Sequence, residues 1–293
     1  MKFWISSLLL VTVLVAGCRR APEPAAAPKT TAPVTTQTVA VTPPVPAPPP
    51  PPKPLETPPA PPASDVLLEQ AATLKGQGKL VEARDLLQPL VLATNAADKV
   101  LAALGEINTQ LLFSGAPAAN KTNYVIQAGD SLGKIAKTFG TTIELLMKSN
   151  GLTARDMIRA GNRLRIYQGK FAVDVSKAAN VLTLTDNGVF FKRYRVGTGQ
   201  FSKTPVGEFK ITNRAEHPVW YRPSGMPVPF GDPENILGTH WLGLDVPGYG
   251  LHGTWEANSI GKQSSAGCIR MLNDDVGELY VILPVGTPVT IHE

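Results

Sequence analysis

The proline-rich stretch near the N-terminus divides this chain into a part that can build a hydrophobic core and a part that cannot. Residues 19–63 consist mostly of Pro, Ala, Thr and Val, and proline dominates residues 43–62. A segment of this composition buries too little apolar surface to fold, and it favours the extended polyproline II conformation. We therefore predict a linker here, and compact domains only between residues 64 and 293.

The N-terminus combines a positive charge with a short apolar run. Lys2 precedes the apolar residues 5–15, and the run ends at Gly17 and Cys18. This run is shorter than the about 20 residues that a membrane-spanning helix needs. The order of a positive charge, an apolar run and a cysteine resembles a bacterial lipoprotein signal. This resemblance implies a signal peptide over residues 1–17 that is cleaved before the cysteine. An ordinary signal peptide with a chance cysteine is the alternative.

The same resemblance implies that lipid is attached to Cys18, so that residues 18–63 form a lipid-anchored linker. Several acyl chains anchor a protein firmly, whereas one chain is marginal. Arg19 follows the cysteine, and by resemblance to the sorting rule of enteric bacteria a residue other than aspartate favours the outer membrane. We therefore predict a protein of the bacterial cell envelope that faces the periplasm.

Residues 64–115 form a predicted helical segment. Apolar residues recur there at three- and four-residue spacing, which indicates amphipathic helices. Gly76 and Gly78 mark a turn between two helices, and a third helix is predicted over residues 97–112. The pattern resembles a tetratricopeptide-type hairpin, but a single unit lacks the stacked neighbours that such repeats need. Two interpretations follow, a spacer that packs on itself and a contact site for a protein partner.

Residues 123–167 carry the signals of a strand, two helices and a second strand. Gly140 and Gly151 each follow a predicted helix and are expected to end it. Thr141 and Glu144 have the spacing of a capping box at the start of the second helix. A small βααβ domain is therefore predicted.

This order resembles a LysM domain over the whole of residues 123–167. The resemblance implies binding to the N-acetylglucosamine-containing glycan of peptidoglycan. The contacts that it implies come from two loops, the loop before Gly161 and the loop of Gly129, Asp130, Ser131 and Leu132. The fold itself also requires such glycines and caps. We expect the domain to supply affinity for the cell wall and no chemistry, so that its deletion leaves the catalytic reaction unchanged.

Cys268 is the cysteine that remains without a partner if Cys18 carries lipid. An exported protein normally has paired cysteines or none, so an unpaired thiol is either buried and inert or kept for its reactivity. His252 lies sixteen positions upstream, and an imidazole can accept the thiol proton and then stabilise the thiolate as an ion pair. Gly267 lets the backbone approach an acyl group, and the N–H of the cysteine can point at a developing oxyanion. A buried cysteine beside an unrelated histidine is the alternative.

The residues around this pair resemble the signature of the YkuD-type L,D-transpeptidases. Two stretches carry the signature: His252-Gly253-Thr254 and Ser265-Ala266-Gly267-Cys268-Ile269-Arg270-Met271. Two upstream stretches resemble the TPxG turn and the NPLG segment of the family: Thr204-Pro205-Val206-Gly207 and Asn235-Ile236-Leu237-Gly238. The resemblance covers residues 170–293 and implies a mainly β catalytic domain, a YkuD-like β-sandwich, in a multidomain protein.

The residues themselves also predict a largely β domain. Asp186-Asn187-Gly188 lies between two alternating runs and is a strong hairpin signal. Asn273 precedes two acidic residues and is predicted to cap a helix.

By the resemblance, Cys268 attacks the peptide bond before the terminal D-alanine of a peptidoglycan stem. His252 acts as the base, and the carbonyl of Gly253 orients its ring. An amine then resolves the thioester, either forming a cross-link or attaching another acceptor. Ala266 stands where many members carry histidine, which leaves the acceptor open. The alternatives are an L,D-carboxypeptidase or hydrolase that uses the same pair, and a non-catalytic tether to peptidoglycan.

Three further residues are candidates for substrate contact. Arg270 is predicted to hold a substrate carboxylate, with a structural salt bridge as the alternative, and Ser265 and His240 are expected to line the cleft. The four scattered histidines do not have the spacing of a metal site, so we predict neither metal nor cofactor. The chain has a net charge of +5 but no basic run that is rich in aromatic residues. We therefore predict no nucleic-acid partner.

Overall fold

The structure, a computed structural model, describes three stretches of the chain: residues 63–92, 97–154 and 158–293. The predicted signal peptide, Cys18 and nearly all of the predicted linker lie outside the described residues. Within those residues, every helix is too short or too polar to span a bilayer.

Three helices form the N-terminal helical segment: α1 (Ala63–Gly76), α2 (Leu80–Leu92) and α3 (Asp98–Phe113). Their small shared core consists of five residues: Ala71, Ala83, Leu87, Leu104 and Ile107. The helix α3 also packs against the catalytic domain, where Asn108 Nδ2 donates a hydrogen bond of 2.8 Å to the carbonyl of Phe191. The segment therefore packs both on itself and on the rest of the protein.

The LysM domain has the predicted order of elements: β1 (Lys121–Val125), α4 (Leu132–Phe139), α5 (Ile143–Asn150) and β2 (Arg163–Tyr167). The two strands pair antiparallel. Ser131 caps α4, because its hydroxyl accepts a hydrogen bond from the N–H of Lys134 at 3.2 Å. Gly140 and Gly151 end the two helices with φ values of 63° and 65°, which glycine adopts without strain.

The predicted cap of α5 is wrong by one residue. Thr142, not Thr141, is the N-cap, and its Oγ1 accepts a hydrogen bond from the N–H of Leu145 at 2.9 Å. The hydroxyl of Thr142 also donates to the carbonyl of Val281 in the catalytic domain. Local spacing does not distinguish the two adjacent threonines. The contact with Val281, which is far away in the chain, selects Thr142 as the cap.

The catalytic domain is mainly β. Its strands are β3 (Phe171–Ser176), β4 (Val181–Asp186), β5 (Val189–Arg195), β6 (Thr198–Gly199), β7 (Gly207–Glu216), β8 (Trp220–Tyr221), β9 (Pro227–Val228), β10 (His240–Leu244), β11 (Gly250–His252), β12 (Gln263–Ser265), β13 (Ile269–Arg270) and β14 (Pro288–His292). One helix, α6 (Asn273–Ile282), lies between β13 and β14. Eight strands form the main sheet in the order β13-β11-β10-β7-β14-β3-β4-β5.

The long strand β7 belongs to both halves of this sheet. Residues 207–210 pair with β14, and residues 211–216 pair with β10. Side chains from both halves and from α6 meet in one core, which includes Val173, Leu182, Leu242, Leu251 and Leu279. This arrangement confirms the predicted mainly β catalytic domain.

The predicted hairpin is present between β4 and β5. Asp186 pairs with Val189, and the two turn residues Asn187 and Gly188 have φ values of 49° and 78°. Positive φ at both central positions is what a two-residue hairpin turn of this class requires, and Asn-Gly meets that requirement.

The LysM domain and the catalytic domain share a hydrophobic core. Leu145 of α5 and Leu112 of α3 belong to the same buried cluster as the sheet of the catalytic domain. At the same junction, Glu144 forms a salt bridge with Arg214 of β7, with 3.1 Å between the charged atoms. Deleting the LysM domain would therefore expose apolar surface of the catalytic domain, and the expectation that its deletion leaves the reaction unchanged stays a prediction.

Candidate active site

Cys268 and His252 line one cavity of about 650 Å³ in the catalytic domain. Most of its wall is apolar or aromatic, including Val219, Trp220, Tyr221, Ile236, Leu237 and Trp241. A concave, largely apolar site with a few polar groups is typical of a site for a small ligand or a peptide.

His252 ends β11 and is 2% exposed. Its Nδ1 lies 2.6 Å from the carbonyl oxygen of Gly253. A carbonyl can only accept, so Nδ1 carries the proton in this contact and Nε2 has a free lone pair. The indole of Trp241 stacks on the ring, with 6.0 Å between centroids. The ring is therefore held in one orientation, with a basic nitrogen available for proton transfer.

The peptide that holds this histidine is itself packed against Asn273. A Cβ atom added to Gly253 would lie 2.1 Å from Asn273 Oδ1, so any larger residue at this position would displace the asparagine side chain. Asn273 Oδ1 accepts a hydrogen bond of 3.1 Å from the N–H of Thr239. The prediction that Asn273 caps α6 is wrong: the N-cap is Leu272, and the asparagine side chain instead joins two loops beside the site.

Cys268 lies in a tight loop between β12 and β13 and is partly buried. Ser265, which is 1% exposed, holds this loop with both functions of its hydroxyl. The hydroxyl donates to the carbonyl of Cys268 at 2.6 Å and accepts from the N–H of Gly267 at 3.1 Å. Ser265 lines the cavity, but its hydroxyl already has two partners in the loop, and its contact with a substrate stays a prediction.

Burial keeps the thiol and the imidazole neutral. Burial raises the pKa of Cys268, although a backbone hydrogen bond and the charge of Arg270 oppose that rise. Burial also lowers the pKa of His252 to about 4. The thiol proton is directed at the carbonyl of Gly248, 3.4 Å from the sulfur. These pKa shifts favour a neutral thiol and a neutral imidazole at neutral pH as the resting state, and the ion pair expected after proton transfer stays a prediction.

Arg270 lines the cavity and also forms the salt bridge that we considered as the alternative. Its Nη1 lies 3.1 Å from Glu256 Oε2. Its Nε is buried and has no hydrogen-bond partner among the described residues. The guanidinium is therefore held at the cavity wall by Glu256, while its Nε is enclosed and not open to a ligand.

His240 is not brought to the cavity. Successive side chains of a strand point to opposite faces, and on β10 the cavity side is occupied by Trp241. His240 instead packs on Tyr280 of α6, with 4.7 Å between ring centroids, and its Nδ1 lies 2.9 Å from Thr239 Oγ1. The structure thus places His240 away from the substrate contact that we predicted for it.

The predicted glycan contacts of the LysM domain lie in the loop before α4. Leu132 is 2% exposed and belongs to the core of that domain. Asp130 Oδ2 accepts hydrogen bonds of 2.8 Å from Tyr124 Oη and from the N–H of Gln127. Ser131 caps a helix, so the side chains of this loop mainly stabilise the fold. A Cβ atom added to Gly129 would meet nothing within 4 Å, so the surface at this glycine is open.

Two side chains beside the site were missed from the sequence. Thr204, within the TPxG-like turn, contacts the loop of Cys268, and Asn273 contacts the loops of Thr239 and Gly253. The resemblance to the TPxG turn pointed to Thr204 in the sequence but assigned no role to it. Within residues 63–92, 97–154 and 158–293, no cluster of His, Cys, Asp or Glu could hold a metal ion.

Comparison with known proteins identifies the class of this chain. The YkuD family, described as the L,D-transpeptidase catalytic domain, matches residues 170–291, and the LysM domain family matches residues 124–166. A Bacillus subtilis (strain 168) protein that bears the L,D-transpeptidase name YkuD is 38% identical over 175 residues, covering 58% of this chain and 98% of that protein. The protein YqjB of the same strain, also named as an L,D-transpeptidase, is 42% identical over 127 residues, covering 41% of this chain and 70% of its own.

The chain therefore belongs to the YkuD family of L,D-transpeptidases, which act on the cell wall, and it carries a LysM domain. A solved structure of L,D-transpeptidase 3 from Mycobacterium tuberculosis, in complex with a faropenem-derived adduct, is 18% identical with a TM-score of 0.38. The match covers 45% of this chain and 65% of the mycobacterial chain.

Proposed function

We propose that this protein transfers the acyl group of a peptidoglycan stem peptide to an amine through a thioester on Cys268. One observation carries the proposal: the thiol and the imidazole of His252 line the same cavity, and the Gly253 carbonyl leaves Nε2 of that imidazole free. A neutral thiol and a neutral imidazole that line one cavity are the starting state that general-base catalysis needs.

The chemistry follows from these groups. Nε2 of His252 accepts the thiol proton while Cys268 Sγ attacks the carbonyl carbon before the terminal D-alanine. The C–N bond then breaks, the leaving amine takes the proton from the imidazolium, and a thioester remains. An acceptor amine attacks this thioester and gives a proton to His252, which returns it to the sulfur. The product is a cross-link or an attached acceptor.

Arg270 is the residue that we assign to a substrate carboxylate. Its positive charge and its position in the cavity wall support this role, while the salt bridge to Glu256 holds the guanidinium in place. Hydrolysis of the same thioester by water remains the second candidate and differs only in the acceptor.

We further propose that the protein works at a lipid anchor in the cell envelope. The support is the sequence order of an apolar run, Gly17, Cys18 and a proline-rich linker. The LysM domain would bring the site to peptidoglycan. Replacing Cys18 by alanine should move the protein out of the membrane fraction. If the variant still carried lipid and stayed in the membrane fraction, Cys18 would not be the anchor.

The test of the enzymatic proposal uses the chain with Cys18→Ala, which lacks the acceptor for lipid. This protein is incubated with a stem tetrapeptide, with and without an acceptor amine, and the products are identified by mass. Release of D-alanine with a mass increase on the acceptor supports transfer, whereas release with water uptake supports the hydrolase. Cys268→Ser in the same background should give neither product, because a serine hydroxyl ionises far less readily beside the same imidazole. Turnover by that variant would overturn the proposal.

A further inference from the structure

Thr204 bridges two loops at the nucleophile. It lies between β6 and β7 and is 1% exposed. Its Oγ1 accepts a hydrogen bond of 2.7 Å from the N–H of Gly199 and donates one of 2.8 Å to the carbonyl of Gly267. Because the Gly199 N–H occupies an acceptor site, the hydroxyl proton is directed at Gly267, the residue before the nucleophile.

The backbone around this bridge is tightly packed. A Cβ atom on Gly199 would lie 2.8 Å from the Cα of Gly267, and one on Gly267 would lie 2.6 Å from the ring of Tyr249. Gly267 also has a φ of 138°, which disfavours any other residue. The loop is therefore confined on the side that faces Thr204.

The position of the Gly267 carbonyl determines where the next N–H points. In a trans peptide the C=O and the N–H lie on opposite sides of the bond. Thr204 holds the carbonyl inward, so the N–H of Cys268 points outward, on the side where Ala266 and Cys268 line the cavity. This N–H has no acceptor among the residues that the structure describes.

The neighbouring N–H is not available for the same purpose. The N–H of Gly267 donates to Ser265 Oγ at 3.1 Å, inside the loop. Of these two consecutive amides, the amide of Cys268 is the one left for a ligand. Thr204 and Ser265 together fix both peptides of the loop.

We propose that Thr204 is a positioning residue for acyl transfer. By holding the Gly267 carbonyl, it directs the N–H of Cys268 at the oxygen that becomes negative when sulfur attacks the substrate carbonyl. Thr204 does not itself touch the substrate. The inference rests on the proposed cysteine acyl transfer and adds the residue that orients the oxyanion donor.

Two reactions of the same sulfur separate this role from a merely structural one. We expect a carbapenem to acylate Cys268 through an oxyanion: sulfur attacks the β-lactam carbonyl, the ring C–N bond breaks and the nitrogen takes the thiol proton. Iodoacetamide alkylates the sulfur by displacing iodide from a saturated carbon, without an oxyanion. Thr204→Val should slow acylation by about 10²-fold, the lower end of the effect of removing one oxyanion donor. Alkylation should stay at the wild-type rate.

Two matched variants control for the loss of a buried hydroxyl. Thr204→Ser retains both hydrogen bonds and should acylate at close to the wild-type rate. Thr198→Val removes a hydroxyl on β6 that is equally buried but lies 3.1 Å from Asn180 Oδ1, and it should leave both reactions unchanged. An equal loss of acylation and alkylation in Thr204→Val would show displacement of the sulfur and overturn the proposal, as would no loss at all.

A measurement without a variant at Thr204 tests the same role. The chain has two cysteines, so a Cys18→Ala protein labelled with ¹⁵N-cysteine gives one backbone amide signal, that of Cys268. Acylation should move its proton signal downfield as the N–H bonds the thioester oxygen. An acylated protein with an unmoved signal would overturn the inference. Alkylation of the wild-type protein without any acylation would instead contradict the proposed function.

Discussion

Ser131 and Gly151 of the LysM domain act on neighbours in sequence, whereas Thr204 and Asn273 near Cys268 act across the chain. Ser131 accepts from an N–H three residues away, and Gly151 ends the helix that precedes it directly. Beside Cys268, Thr204 contacts a carbonyl 63 positions away, and Asn273 contacts an N–H 34 positions away. The first group completes individual helices, and the second group determines where separate loops meet.

Local contacts and long-range contacts should affect different properties of the protein. We expect the first kind to affect stability and the second kind to affect the reaction rate. Losing a local cap costs about 1 kcal/mol of helix or protein stability. A long-range bond at an active site holds a reacting group in place, and a displacement of about 1 Å there can cost about 10²-fold in rate. Changes in the LysM domain should therefore affect unfolding, and changes around Cys268 should affect acylation.

The largest expected effect is that of His252→Ala on acylation. Removing a general base costs about 10²- to 10⁴-fold in rate, so carbapenem adduct formation, followed by mass spectrometry, should slow by about 10³-fold. His240→Ala is the matched control, because that ring packs on Tyr280 away from the cavity. It should react at close to the wild-type rate. Equal rates for the two variants would contradict the assignment of the base.

The junction between the two regions is tested by Leu145→Ala. This side chain is 2% exposed in the core shared with the catalytic domain, so its truncation should destabilise that domain by about 2–5 kcal/mol. Unfolding is followed by tryptophan fluorescence, since every tryptophan after the predicted signal peptide lies in the catalytic domain. Leu146→Ala, in the core of the LysM domain alone, should change this signal less. An unchanged midpoint for Leu145→Ala would indicate independent domains after all.

The buried histidine should also make stability depend on pH. In the unfolded chain its pKa is about 6.5, whereas burial lowers the pKa of His252 to about 4 in the folded protein. Between these values the unfolded chain binds more protons, so stability is fully present above about pH 6.5 and decreases as the pH falls to 4. The loss from this group is about 3 kcal/mol.

Denaturant unfolding of the wild type and of His252→Ala at pH 7.0 and 4.5 measures this contribution. The difference in the free energy of unfolding between the two proteins should shrink at the lower pH. A difference that stays constant would mean that the histidine is not buried in its neutral form.

Much of the fold could be predicted because its signals are local. Gly140 and Gly151 mark helix ends through the left-handed conformation, and Asn187-Gly188 marks a hairpin turn. The LysM and YkuD resemblances then supplied the classes of the two domains. These features require only residues that are adjacent or a few positions apart.

The remaining features depend on contacts that leave no local pattern. Asn273 has the sequence context of a helix cap, yet its side chain bonds Thr239 because the two loops meet there. The neutral state of the Cys268–His252 pair comes from burial, which the spacing of two residues does not reveal. His240 lies on the wrong face of its strand because the register of β10 places Trp241 in the cavity.

The smallest expected effect separates backbone conformation from packing within the LysM domain. Gly151 has a φ of 65°, and a Cβ atom there would meet nothing within 4 Å, so Gly151→Ala should cost about 1 kcal/mol through conformation alone. Gly133→Ala, in the helical conformation of α4 with an ordinary contact of 3.8 Å to Ile143, should stabilise by about 0.5–1 kcal/mol. Thermal unfolding followed by circular dichroism should therefore shift in opposite directions for the two variants, while carbapenem acylation of Cys268 stays unchanged in both. A shift in the same direction would show that packing, and not the sign of φ, determines the effect of a methyl group at these two glycines.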